Sequence, residues 1–381
     1  EILFTPKDTT GFSDLSSGSG GWAGITDYGT ASGDSSVLQY CRFLYGKRIS
    51  DPALYFKGFL KFGDNADKVI LEHCVFEHCY AKDGAILKTD RRTLLDSSLI
   101  RGNFSTAVSM RTGHITNCTI SDNAGDGIDV WEKEYRITGN TITGHTGYGL
   151  YLYQSNRVSV LDNTISGNYR GVRLFEVVSA AFAGEIADTM VWEADTVKIA
   201  ADLTCGSKLV IRPGTRVEFR GHYSLAAEIL HAAGTPGDSI TFTMHDTTGF
   251  SNHTIPDGGW KGISAARDAV FSYCVIRFGK NTDNSGDRPW EKHALISLGN
   301  ENPIGFSNSR IADNYSITYL LRDFEGFVEF SECQFENNGF DLGWNVHAGI
   351  SASPFTRKAI IFEGVIMKGC LLIKNRKVTF F

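Results

Sequence analysis

The sequence predicts an all-β chain organised as a β-solenoid, and three observations carry that prediction. A short unit recurs down the first half, a long segment of the first half returns in the second, and 41 Gly stand against only 8 Pro in 381 residues. The unit reads apolar-x-x-(Cys/Asn/Ser)-x-apolar-x-x-(Asn/His/Cys), often followed by Gly-apolar-x-apolar. It occurs at Leu71–Cys79, Leu95–Asn103, Ile115–Asn123, Ile137–His145 and Val160–Asn168, with anchors 20 to 24 residues apart. Apolar residues alternate with period two and β-branched residues fill the apolar slots, while Gly and Asn punctuate them. That pattern describes short strands joined by bends and excludes helices. With roughly 20–25 residues each, the units are expected to form single coils that stack at strand spacing, about 4.8 Å.

The recurrent Asn103, Asn123 and Asn168, with Cys79 and His145 in the same slot, read as a ladder at a sharp bend. Such a bend calls for left-handed backbone and for side-chain to backbone hydrogen bonds. Cys41, Cys74, Cys118, Cys274 and Cys333 likewise share one slot of the unit, so they read as small buried fillers rather than a disulfide set. The larger duplication carries Asp8-Thr-Thr-Gly-Phe-Ser13 into Asp246-Thr-Thr-Gly-Phe-Ser251, Gly21-Trp22 into Gly259-Trp260, and Tyr40-Cys41 into Tyr273-Cys274. Each copy continues into a loop insertion, residues 47–57 and 280–293. The expected division is a first β-helical segment, 1–180, and a duplicated second one, 181–381. Neither end reads as a cap, so flanking coils or end-to-end self-association are expected.

Composition narrows the function classes. Hydrophobic residues at 42% and charged residues at 21% describe a folded chain. Apolar runs such as Ala180–Ala183 are too short for an internal transmembrane helix, so no membrane span is expected. A formal net charge of −6 argues against a nucleic-acid partner, because counterion release needs a concentrated basic face. His73-Cys74 and His78-Cys79 lack the second cysteine pair of a closed zinc site. Asp122, Asp126 and Asp129 lack the spacing of a calcium loop. The expectation is therefore no metal and no cofactor, with calcium at these three acids as the alternative.

Along each strand, side chains alternate between core and solvent, so outward residues stack into a lengthwise stripe. The repeat assigns Ile86 and Lys88, Ser109 and Arg111, Asp129 and Trp131, Tyr151 and Tyr153, then Arg173 and Phe175 to that stripe. The inward set is Leu87, Val108, Met110, Ile128, Val130, Leu150, Leu152, Val172 and Leu174. Aromatic rings interleaved with charges suit saccharides. Trp131, Tyr153 and Phe175 offer stacking platforms, and Lys88 and Arg173 offer cations for uronate carboxylates. Asp129, with Arg111 on the preceding coil and Tyr151 on the next, is the candidate catalytic group, since proton abstraction from a uronate needs a base and a proton donor. A carboxylate-pair hydrolase using Asp129 with Asp126 or Glu132 is a further option.

The strings Asn140–His145 (NTITGH), Asn163–Asn168 (NTISGN) and Gly125–Val130 (GDGIDV) resemble the right-handed parallel β-helix repeat of pectate-lyase-like, carbohydrate-binding and sugar-hydrolase proteins. Gly206–Phe219 and Ala232–Thr243 resemble opening coils of secreted bacterial β-helix proteins. Gly127–Glu132 is similar to the Gly-Ile-Asp-Pro-His-Asp motif of mannuronan epimerases, with Val130 and Trp131 replacing Pro and His, so the catalytic His of that motif is absent here. The resemblance implies an extracellular or cell-surface bacterial protein with a polysaccharide partner. It would bind an acidic polysaccharide and cleave or epimerise it as a lyase or epimerase, with glycoside hydrolysis ranked after these. The duplication supports an alternative, a non-catalytic structural or adhesin segment of a larger extracellular or filamentous surface protein, because a spacer profits from repetition.

Overall fold

The computed structural model of the chain describes residues 1–27, 35–49, 58–63, 68–252, 254–282, 294–299, 304–316, 319–323 and 328–340, with the short strands 349–352, 360–363, 366–368, 372–374 and 378–380. Two compact units emerge, one of residues 1–180 with 185–189, the other of 181–184 with 190–381. Among the described residues no helix is long and apolar enough to cross a membrane.

In unit 1 a coil is built from three strands. Thr119–Ser121, Ile128–Trp131 and Glu134–Thr138 form one coil, and Thr141–Thr143, Leu150–Tyr153 and Arg157–Leu161 form the next. Each strand pairs in parallel with its counterpart one coil on, as Ile120 with Ile142, Val130 with Leu152 and Ile137 with Val160. The predicted inward residues are all fully buried, which fixes the register that the alternation assigned. Like side chains stack on like: Phe4, Phe43 and Phe76 lie ring on ring at 4.9 and 4.7 Å. The result is the parallel β-helix that the repeat predicts.

Stacked bends would leave backbone N–H and C=O groups buried and unpaired, and the ladder side chains satisfy them. Asn103 accepts from the Cys79 N–H at 2.8 Å and donates through Nδ2 to Phe76 O and to Asn123 Oδ1. One coil on, Asn123 donates to Ile100 O. His145 continues the line, with Nδ1 accepting from the Asn123 N–H and Nε2 near Ile120 O, and burial lowers its pKa, which favours the neutral ring. A second ladder runs through Cys118, Asn140 and Asn163. The left-handed residue falls one position earlier than the sequence reading placed it. It is His78, Asp122 or Gly144, immediately before the ladder residue. The seven described cysteines are buried and free, and desolvation pushes the thiols of Cys74 and Cys118 up to about 11 and about 12.

Unit 2 repeats the same devices. Phe271, Phe306 and Phe330 stack at 4.7 and 5.0 Å. In each unit a tryptophan indole donates to a strand carbonyl, Trp22 to Leu44 O and Trp260 to Arg277 O. In each, too, a buried lysine tethers the DTTGFS loop. Lys47 Nζ donates to Gly11 O and Ser19 O at 3.0 and 2.9 Å, and Lys280 Nζ donates to Gly249 O and Asp257 O at 2.8 and 2.7 Å. Lys47 and Lys280, read from sequence as the start of loop insertions, are therefore short-strand residues. The rest of those insertions, 50–57 and 283–293, lies outside the described residues.

Candidate functional site

The outward stripe exists from Ser109 onward in the register the repeat implies, but Lys88, which the repeat aligns with Arg111 and Trp131, pairs instead with Ser109. Lys61, Lys88, Ser109, Asp129, Tyr151 and Arg173 face one another coil to coil, and Trp131, Tyr153 and Phe175 form a second line beside them. Ile86 does not belong to it. The early coils carry an extra short strand, Lys47–Arg48 paired with Tyr80–Ala81, which turns the start of the next strand into a corner. Ile86 is fully buried in that corner, as is Phe59 one coil before.

Three side chains converge at the centre of the line. Lys88 Nζ donates to Ser109 Oγ at 3.1 Å, and Ser109 Oγ donates to Asp129 Oδ2 at 3.4 Å. The Lys88 ammonium also sits 3.5 Å from the Trp131 ring centroid, a cation–π contact that fixes where it points. Burial pulls the Lys88 pKa down. Burial, reinforced by the negative charge of Asp126, pushes Asp129 up to about 6, against the partial opposition of Lys88 and Ser109. Asp129 Oδ1 is buried with no hydrogen-bond partner among the described residues. Asp126 itself accepts from the Tyr148 N–H at 2.6 Å and is raised chiefly by burial.

Lys88, Ser109 and Asp129 form one side of a cleft of about 500 Å³. The opposite side is made by the segments that follow the ladder residues: Tyr80, Ala81 and Asp83–Ala85, Phe104–Thr106, and Ala124–Gly125. Periodicity does not reveal such a concavity. The one signal for it in the sequence is the run of small residues, Gly84-Ala85, Ser105 and Ala124-Gly125, where bulkier side chains would fill the bend. The cleft is lined by three coils, so it is shorter than the stripe from residue 88 to residue 175.

Arg111 does not meet Asp129. Ser109 is the residue opposite Asp129 on the preceding coil, and the Arg111 guanidinium pairs instead with Glu132 at 2.5 Å. Glu132 occupies a left-handed bend position, φ 76°, so its direction is set by the bend and not by strand alternation. Glu132 is exposed and Arg111 half-buried, which makes it a surface ion pair. Arg111→Ala is expected to cost about 0.2–1 kcal/mol and to leave the cleft intact, as urea denaturation would show.

The aromatic residues are also disposed differently from free platforms. Trp131 stacks on Tyr153 at 6.2 Å, Tyr153 on Tyr151 at 5.1 Å and Tyr151 on Tyr148 at 5.1 Å. Lys88 lies over the Trp131 ring and Arg173 over that of Phe175. Faces are thus largely occupied by neighbours, and the stripe offers ring edges and phenol hydroxyls. Burial raises both phenols, Tyr153 to about 12, so they remain protonated donors. Tyr135, which sequence reasoning missed, is buried beneath the stripe. Its hydroxyl bonds to Met110 O at 3.0 Å and accepts from the Trp131 N–H at 3.1 Å, locking the bend that aims Trp131. Among the described residues no group of three His, Cys, Asp or Glu side chains is arranged to hold a metal.

Residues 83–182, which include Lys88, Ser109, Asp129 and the aromatic line, match the family described as right handed beta helix region. No curated protein matches the chain, and no solved structure does.

Proposed function

We propose that unit 1 is a carbohydrate-active β-helix that holds an acidic saccharide in the Lys88–Ser109–Asp129 cleft and moves the proton on its C5 carbon. The observation that carries this reading is Asp129, a carboxyl raised to about 6 by burial, with one buried oxygen unpaired, at the edge of a cleft. Three coils at strand spacing give that cleft a length of about 10 Å, enough for about two sugar rings. A group that titrates near neutrality can both take and return a proton.

In this reading the Lys88 ammonium and the Ser109 hydroxyl meet the uronate carboxylate and make the C5 proton more acidic. Asp129, ionised, takes that proton. Tyr151, the register neighbour of Asp129, gives its own proton to the oxygen that leaves C4. The C4–O bond breaks and a C4=C5 double bond forms. Return of a proton to the opposite face of C5 without cleavage gives the epimer. The base must be charged, so activity rises as pH climbs through about 6. Such polymers lie outside cells, and an extracellular or surface location follows from the proposal.

The self-stacked aromatic line favours a second reading, a structural or adhesin segment whose outer face is closed by its own contacts. A screen against uronic-acid and neutral polysaccharides separates the two. Expected for the first reading is binding together with new unsaturated ends or epimerised units, with Lys88→Met losing binding by about tenfold or more. Absence of binding and product with every polymer leaves the structural reading.

A further inference from the structure

The duplication places one position of unit 1 and its counterpart in unit 2 in different states, and that difference points to a second site. In unit 1 the Arg48 guanidinium donates to Thr26 Oγ1 at 2.8 Å and to Gly58 O at 3.0 Å. The strand pairings make the correspondence residue by residue. Thr26 faces Lys61 in unit 1 and Ser264 faces Ser297 in unit 2, while Ile25 faces Leu60 and Ile263 faces Ile296. Thr26 thus corresponds to Ser264, Lys61 to Ser297 and Gly58 to Ala294. Lys47-Arg48 and Lys280-Asn281 are the matching short strands, each following its tryptophan-bridged glycine.

Unit 2 therefore keeps the two oxygen acceptors, the Ser264 hydroxyl and the Ala294 carbonyl, but has Asn281 where unit 1 has Arg48 and Ser297 where unit 1 has Lys61. Two cationic side chains are replaced by two short neutral ones. At this place unit 2 has a cleft of about 240 Å³, lined by Ser224, Ser264, Ser297, Asn281, Ala294 and the exposed Lys261. Ser224 bonds through its N–H and its hydroxyl to Asp202 Oδ1 at 2.7 and 2.8 Å, which ties a carboxylate to the lining of the cleft.

We propose that this cleft binds a guanidinium group, held by the Ser264 hydroxyl and the Ala294 carbonyl as the corresponding oxygens of unit 1 hold Arg48. The group is planar, carries five donors and stays charged, so it suits a narrow cleft with convergent oxygen acceptors better than an ammonium does. It is brought either by a small molecule or by an arginine side chain of another polypeptide. This inference rests on the duplication in unit 2 and is independent of the saccharide reading of unit 1.

Calorimetric titration of the whole chain with n-butylguanidine, n-butylamine, sorbitol and a blocked Gly-Arg-Gly tripeptide tests it. Saturable binding of butylguanidine is expected, with butylamine weaker by about tenfold or more. Asn281→Arg supplies a tethered guanidinium and is expected to abolish that binding while the chain stays folded by circular dichroism. Ser264→Ala, a smaller change, is expected to weaken it about tenfold. Tighter binding of the tripeptide than of butylguanidine identifies an arginine side chain as the source, and the reverse identifies a small molecule. The proposal is overturned if butylguanidine does not bind, if butylamine binds equally, if sorbitol competes for the cleft, or if binding survives both substitutions.

Discussion

Asp129→Asn is expected to stabilise unit 1 above pH 7 while removing its proton-transfer chemistry. The carboxyl is raised from 3.8 to about 6, so the folded state holds its proton more tightly than the unfolded chain does. The stability contributed by that proton is fully present below pH about 4 and is lost as pH rises through about 6. A shift of about 2 units corresponds to about 2–3 kcal/mol at most. Asn cannot ionise and keeps the acceptor that faces Ser109. The variant should therefore match the parent near pH 4 and exceed it by up to about 2–3 kcal/mol at pH 8 in urea unfolding. Turnover of a uronate polymer should fall by about 10²–10⁴-fold. An equal stability change at both pH values would show that the carboxyl is not held protonated by the fold. Activity retained in the variant would remove Asp129 from the chemistry.

Asn140→Leu is expected to be the most damaging single change outside the hydrophobic core. The Asn140 side chain accepts from the Cys118 N–H at 2.9 Å and donates to Ile115 O and Asn163 Oδ1, also at 2.9 Å. All four groups are buried, and leucine strands the Cys118 N–H and Ile115 O where water cannot replace the lost bonds, while Asn163 Oδ1 keeps only the backbone N–H of residue 140. Each unsatisfied group costs about 1–3 kcal/mol, so a total of about 3–5 kcal/mol is expected. Thr141→Ala, one residue away on the exposed face, should change stability by less than about 0.5 kcal/mol. Chemical denaturation of both variants checks the pair, and equal losses would mean that the ladder contributes little.

The coil and the inward or outward facing of its strands were legible because alternation is a local property, whereas the pairing of Lys88 with Ser109 was not. Leu150 and Leu152 face inward and Tyr151 and Tyr153 outward wherever the strand lies, and the structure agrees. The Asn ladder was legible for a related reason: a buried amide at a bend has few possible partners besides the neighbouring coils. What alternation does not encode is the shape and direction of the bends. Ile86 was misassigned because the extra short strand at Tyr80–Ala81 makes a corner out of what reads as an open strand. The partner of Arg111 was misassigned because Glu132 leaves a left-handed bend at an angle that no period-two rule describes. Lys88 and Asp129 were identified from sequence, whereas Ser109 between them was read only as an outward residue. The facing wall of their cleft, which mixes Tyr80 and Phe104 with small residues, has no periodic signature.

Parallel stacking also dictates how the chain comes apart. A strand such as Leu150–Tyr153 shares hydrogen bonds with only two neighbours, Ile128–Trp131 before it and Val172–Phe175 after it. Cooperativity in such an array is a nearest-neighbour property, carried from coil to coil by the two side-chain ladders as well as by the backbone. Opening is cheapest where a coil has one neighbour instead of two, and coils within the stack open only after those outside them. Amide exchange within unit 1 should therefore be graded along the stack, and the Lys88–Asp129 cleft, inside it, belongs to the slowly opening part.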